Sequence, residues 1–224
     1  MPRISNAITD RFGRRFSQLQ LGLILYGFSM ALIIEARLGL DPWDVFHQGL
    51  SKLTGLSFGT IVIVTGAVVL LAWIPLRQWP GIGTVCNVFM IGISVDVALH
   101  LIPEPSSLAL RWVFLIGGIG FNGVAAGLYI GARLGPGPRD GLMTGFVALR
   151  DGRSIRVVRT SIEVAVLAIG WLLGGSVGAG TVLYAVAIGP LAHVFIPMFT
   201  VAPRRSVTLT NSCRGEPDTE PIAA

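Results

Sequence analysis

Six apolar runs, at roughly residues 18–36, 57–76, 81–102, 112–132, 156–174 and 178–200, govern what this 224-residue chain can fold into. Each is close to the ~20 residues that a helix needs to cross the bilayer hydrocarbon. Backbone inside lipid must satisfy its N–H and C=O groups internally, so such runs become helices rather than irregular chain. Composition agrees: 52% of residues are hydrophobic, 13% are charged and the mean hydropathy is +0.71. The sequence therefore predicts an all-α polytopic membrane protein with six transmembrane helices in contact with the lipid bilayer. Arg11, Arg14 and Arg15 precede the first run as they would in a signal peptide. Its counterpart at 112–132 lies mid-chain, where no signal peptide can be, so the first run is read as a retained helix.

The runs are organised by a duplication. "ARLGLDPWDV" at 36–45 matches "ARLGPGPRDG" at 132–141 at six of ten positions, ninety-six residues apart. The same offset pairs Gly27 with Gly123, Gly49 with Gly145 and Leu53 with Leu149. After one inserted residue, "GIGTV" at 81–85 pairs with "GAGTV" at 178–182. Each half reads as helix, loop with a short helix, helix, turn, helix. The predicted segments are a basic cytoplasmic N-terminus 1–17, a three-helix repeat 18–102, an external connector 103–111, a second repeat 112–200 and a disordered cytoplasmic tail 201–224. Three crossings per unit make successive units enter from opposite sides, so the repeats are expected to be inverted.

Lys and Arg accumulate in cytoplasmic loops. With the N-terminus inside, 14 of the 17 basic residues face the cytoplasm, and only Arg37, Lys52 and Arg111 face out. Both termini are thus expected on the cytoplasmic side of the membrane. The net charge of +5 sets topology and points to no nucleic acid, because the arginines are dispersed at the ends of apolar runs.

The duplicated stretch reads as a helix stop followed by a helix start. Gly39 and Gly135 suit the left-handed C-cap, Pro42 and Pro138 suit a first helical position, and Asp44 and Asp140 fall in the first turn, where the dipole favours a carboxylate. The helices so begun, about 42–54 and 138–150, are too short to span. Lying flat, the first would anchor Trp43, Phe46 and Leu50 among headgroups and turn Asp44, His47 and Lys52 to water. Dipping in, its N-terminus would line a polar cavity, the setting that allows irregular backbone at membrane depth. Gly137, Pro138, Arg139, Asp140 and Gly141 form the densest part of the second copy, and Arg139 with Asp140 could hold an anionic or hydrogen-bonding group at a helix N-terminus.

Ionisable groups at membrane depth are functional candidates, since each costs about 3 kcal/mol to insert. Asp96 and His193 are repeat mates in the third and sixth runs and would gate opposite sides of one pathway for a proton or cation, unless both reach a nearby interface. Glu163 follows Arg159 by four residues, the spacing of a helical ion pair. Asn122 and its repeat mate Tyr26 fall near the midplane, where inverted-repeat carriers bind substrate; interhelical hydrogen bonds are the alternative. No zinc helix, nucleophile elbow or phosphate loop is present, so no enzyme activity, metal or cofactor is expected. Cys86 lies in an apolar run and Cys213 in the polar tail, which makes a disulfide framework implausible.

The string "ARLGPGPRDGLMTG", with "LGLDPWDVFHQGLSKLTGLSFG" before it and "GAGTVLYAVAIGP" after it, resembles the YczE/YyaS/YitT group of bacterial multi-pass membrane proteins, most nearly its YczE branch. The resemblance spans roughly residues 20–200 and implies a bacterial inner-membrane protein; it implies no defined activity. In the first copy Leu40 and Asp41 replace the Pro-Gly pair of the second. The expected function is a transporter or channel for a small solute. The alternative is a non-transporting protein that binds or regulates a partner through the Arg-rich loop 133–159.

Overall fold

The structure, a computed structural model, describes residues 12–148 and 154–201. Most of the basic N-terminus, Arg150, Arg153 and the tail from residue 202 lie outside the described residues. Eight helices occur in the described part: α1 Phe12–Ala36, α2 Pro42–Thr54, α3 Phe58–Trp73, α4 Ile82–Leu101, α5 Leu108–Gly131, α6 Pro138–Ala148, α7 Ile155–Leu172 and α8 Ala179–Phe199. Each apolar run contains one helix, and the two short helices begin at the expected prolines.

By length and hydropathy, α1, α4, α5 and α8 can each cross a membrane. α3 has only 16 residues, and α7 carries Arg156, Arg159 and Glu163 among its 18. α2 and α3 meet at a 113° bend and supply a fifth crossing if they form one broken span. The six apolar runs thus yield four or five candidate crossings, because one run is short and another is interrupted by charge.

The core is built on α1 and α5, which pack along each other; α4 covers α1 and α8 covers α5. Close approach is permitted by glycines: a Cβ at Gly27 would lie 2.8 Å from Val95 N on α4, and one at its mate Gly123 would lie 2.8 Å from Leu191 Cβ on α8. At one end of the bundle Gln18 of α1 donates to Leu128 O of α5 and Phe199 O of α8, and Gln20 meets Cys86 of α4. At the other end Arg37 pairs with Glu104, beyond the end of α4. α2 packs on α7, and α3 packs on α4 and α6.

The loops after α1 and α5 have the same local geometry. Arg37 and Arg133 take φ of 54° and 53°, and Gly39 and Gly135 take 110° and 138°. The helix stop expected at the glycines therefore falls two residues earlier, on arginines in the left-handed conformation. The glycines serve the next contact: a Cβ at Gly39 would meet Gly178 N at 2.5 Å, and one at Gly135 would meet Thr84 Oγ1 at 2.8 Å. Gly180 N donates to Leu38 O (2.7 Å) and Gly83 N to Leu134 O (2.9 Å). Each loop thereby docks on the first turn of a helix from the other half.

Candidate functional site

The short helices begin differently. Asp41 caps α2, its Oδ1 accepting from Trp43 N (2.9 Å) and Asp44 N (3.0 Å). The equivalent residue before α6 is Gly137, which has no side chain to offer; α6 is instead fixed by Trp73 Nε1, which donates to Pro138 O at 3.1 Å. Between these helix starts the bundle encloses a cavity of about 380 Å³, lined by Tyr26, Asp41, Trp43 and Asn87 from the first half and by Asn122, Arg139, Asp140 and Tyr184 from the second. It extends past Arg159 and Glu163 toward Ile196, near the end of the bundle where α8 finishes and α1 starts.

Two hydrogen-bonded groups shape its walls. Tyr184 OH donates to Asn122 Oδ1 (3.0 Å), Asn122 Nδ2 to Ser29 Oγ (3.0 Å) and Ser29 Oγ to Tyr26 O (2.7 Å), which ties α8, α5 and α1 together at mid-helix. Arg139 donates through Nη2 to Tyr26 OH (3.2 Å), places Nη1 3.9 Å from Asp41 Oδ1 and lays its guanidinium 5.6 Å from the centroid of the Trp43 ring. Beside it Tyr129 OH donates to Asp140 Oδ2 at 3.1 Å.

Behind Arg139 lies a buried polar cluster. Asp41, Asp44 and His47 are all buried, with Asp44 Oδ1 3.3 Å from His47 Nδ1. Asp44 Oδ2 and Trp43 Nε1 find no hydrogen-bond partner among the described residues. Asp41 belongs to the connecting loop, outside the spanning helices; burial pushes its carboxyl up to about 7, the Asp44 carboxylate adding to the shift and Arg139 opposing it.

A family model described as a family of unknown function, DUF6198, matches residues 13–197. The chain belongs to the DUF6198 family. It is 35% identical to an uncharacterized protein of Haemophilus influenzae over 91% of this chain and 94% of that protein. It is 34% identical to the uncharacterized membrane protein YczE of Bacillus subtilis, over 79% of this chain and 82% of YczE. YyaS of Bacillus subtilis is 27% identical over 80% of this chain and 90% of its own length. No solved structure matches. The chain is accordingly an integral membrane protein of a bacterial family, and the DUF6198 segment contains every residue named in the cavity.

Among the residues singled out by sequence, Tyr26, Asn122, Arg139, Asp140, Gly137, Pro138, Pro42 and Glu163 line this one cavity. Arg159 and Glu163 form their i,i+4 pair at 2.9 Å. Gly135 and Gly141 hold close contacts instead, Gly141 against the Trp73 ring. Asp44 and His47 turn into the protein, not to water as a flat-lying α2 would have them. Asp96 and His193 are not brought together: Asp96 accepts from Ser57 Oγ (2.6 Å) and Gly59 N (2.7 Å) at the start of α3, while His193 is exposed on α8. Asn87 and Tyr184 are repeat mates at the ninety-seven-residue offset of the "GTV" motifs, yet nothing in the pattern of their apolar runs sets them apart. Asp41 was legible only as a departure from the second copy.

Proposed function

We propose that this protein carries a small polar solute across the bacterial inner membrane, as a transporter or channel made of two inverted three-helix repeats with six crossings. The observation that carries the proposal is the composition of the cavity wall. Six pairs of repeat mates face it together, among them Tyr26 with Asn122, Trp43 with Arg139 and Asn87 with Tyr184. A wall built from equivalent residues of two halves is what a pseudo-two-fold axis through the cavity would produce, and carriers with inverted repeats place their solute site there. Further support comes from the ends of the helices: α1 begins where α5 and α8 finish, as inversion requires. With the N-terminus inside, the cavity opens to the cytoplasm past Arg159 and Glu163. Arg139, one of the arginines that a docking surface on the loop 133–159 would need, lines the cavity instead.

Flux is tested by uptake of candidate metabolites into liposomes holding the purified protein, with and without a pH gradient. Accumulation above protein-free vesicles is expected, and Ala126→Trp, which fills the cavity from α5, should abolish it. Flux untouched by Ala126→Trp would place the pathway elsewhere; no flux for any solute class would leave the partner-binding alternative.

Topology is tested separately by cysteine labelling in a Cys-free background. Ser106→Cys should react with an impermeant reagent in intact cells, and Ser154→Cys only after the membrane is opened. Reaction of Ser154→Cys from the periplasm would end the inverted model.

A further inference from the structure

At the start of α2 the charges do not balance. Asp41, Asp44 and His47 are 2%, 1% and 4% exposed, and among the described residues a single guanidinium, Arg139 of α6, faces them, 3.9 Å from Asp41. Among the described residues, the other packed elements bring no further cation. α1 and α8 supply the phenols of Tyr26 and Tyr184, and α3 supplies Phe58, edge-on to His47 at 5.9 Å. On α7, Arg159 and Glu163 neutralise each other, and Asp140 next to Arg139 is held by Tyr129 OH. On α2 itself Lys52 is spent on Gly174 O at the far end of the helix. With both carboxylates ionised and the imidazole neutral, Asp41, Asp44 and Arg139 leave one buried negative charge.

Burying an unneutralised charge is far costlier than burying a neutral acid, so such groups change protonation instead. The hydrogen bonds say where a proton can go. Asp41 Oδ1 is engaged by two backbone N–H groups. Asp44 Oδ2 has no partner among the described residues, and its Oδ1 reaches His47. We propose that Asp41, Asp44 and His47 form a site that binds one exchangeable proton, with Arg139 setting its affinity. Arg139 also donates to Tyr26 OH in the cavity wall. A solute that drew the guanidinium away from Asp41 would oblige the site to take up a proton, which would make the proton a coupling ion. That last link rests on the transport reading; the site itself does not.

Infrared spectra of the full-length protein in lipid nanodiscs, taken across neutral pH, test the site without any solute. A carboxylic-acid C=O band, or an imidazolium signal from ¹⁵N-labelled His47, is expected below neutrality and should vanish as pH rises. Asp41→Asn and Asp44→Asn should each remove it, because either leaves one carboxylate against one guanidinium. Arg139→Gln should tighten proton binding about tenfold, moving the midpoint up by about one pH unit, whereas Arg139→Lys should leave it close to wild type. Circular dichroism and monodispersity check that each variant folds, and the two Asn variants decide the matter if Arg139→Gln does not. A bare carboxylate beside a neutral imidazole throughout, a signal that survives both Asn substitutions, or a midpoint that follows sodium or magnesium concentration would overturn the proposal. A protein that moves no solute can still pass this test, and a carrier lacking the site fails only here.

Discussion

Gly170→Ala is expected to destabilise the protein by about 3 kcal/mol, read as a lowered thermal midpoint of the detergent-purified chain. A Cβ at this position of α7 would lie 2.4 Å from Phe46 N, 2.5 Å from Phe46 Cα and 2.7 Å from Val45 C. These are backbone atoms of α2 and cannot rotate away as a side chain can. Gly49 on the facing helix is equally tight, 2.7 Å from Gly170 O, so neither helix can slide to relieve the other. The strain must move α2 bodily, and α2 carries Asp44 and His47. Gly117→Ala on α5, where a Cβ meets nothing within 4 Å, should change stability by less than about 1 kcal/mol. Equal midpoints for the two variants would show that the α2–α7 crossing is looser than described.

The helices were legible because lipid imposes a simple rule on length and polarity, and because Gly and Pro punctuate the runs. α2 starts at Pro42 and ends against Gly55, whose left-handed φ of 73° suits a glycine. Which way α2 faces was not legible. His47, expected on the water side, falls at i+4 from Trp43 and i−3 from Leu50, so the face expected among headgroups mixes aromatic and ionisable side chains and suits headgroups or a protein interior equally well. The choice is made by α7, more than a hundred residues away. Depth along the third run makes Asp96 a candidate, yet depth ignores what the neighbouring turn offers. Its carboxylate is taken by Ser57 and Gly59, 39 and 37 residues earlier in the chain. The cavity was half legible. Tyr26 and Asn122 stand out as polar residues at one register, whereas Tyr184 looks like an ordinary aromatic in an apolar helix until Asn122 is found within hydrogen-bond reach of it.

Arg139→Ala is expected to destabilise the protein by about 3 kcal/mol, because removing one partner of a buried pair leaves the other charge uncompensated. Arg139 is itself 27% exposed while Asp41 is 3% exposed, so the loss sits at the low end of what such changes cost and falls mainly on Asp41. Two contributions are mixed in it: the missing positive charge, and the missing packing of the guanidinium over Trp43 and its hydrogen bond to Tyr26. Asp41→Asn separates them. Asn can cap α2 as Asp does but needs no counter-charge, so the double variant should recover most of what Arg139→Ala loses. The deficit should also shrink on acidification, since protonating Asp41 removes the charge that Arg139 balances; the sign follows from the loss being confined to the ionised form. Thermal midpoints of the four proteins of this cycle, measured on both sides of neutrality, provide the check. A deficit that is independent of pH and unrelieved by Asp41→Asn would mean that Arg139 holds the cavity wall together by stacking and hydrogen bonding alone, with Asp41 neutral whether Arg139 is present or not.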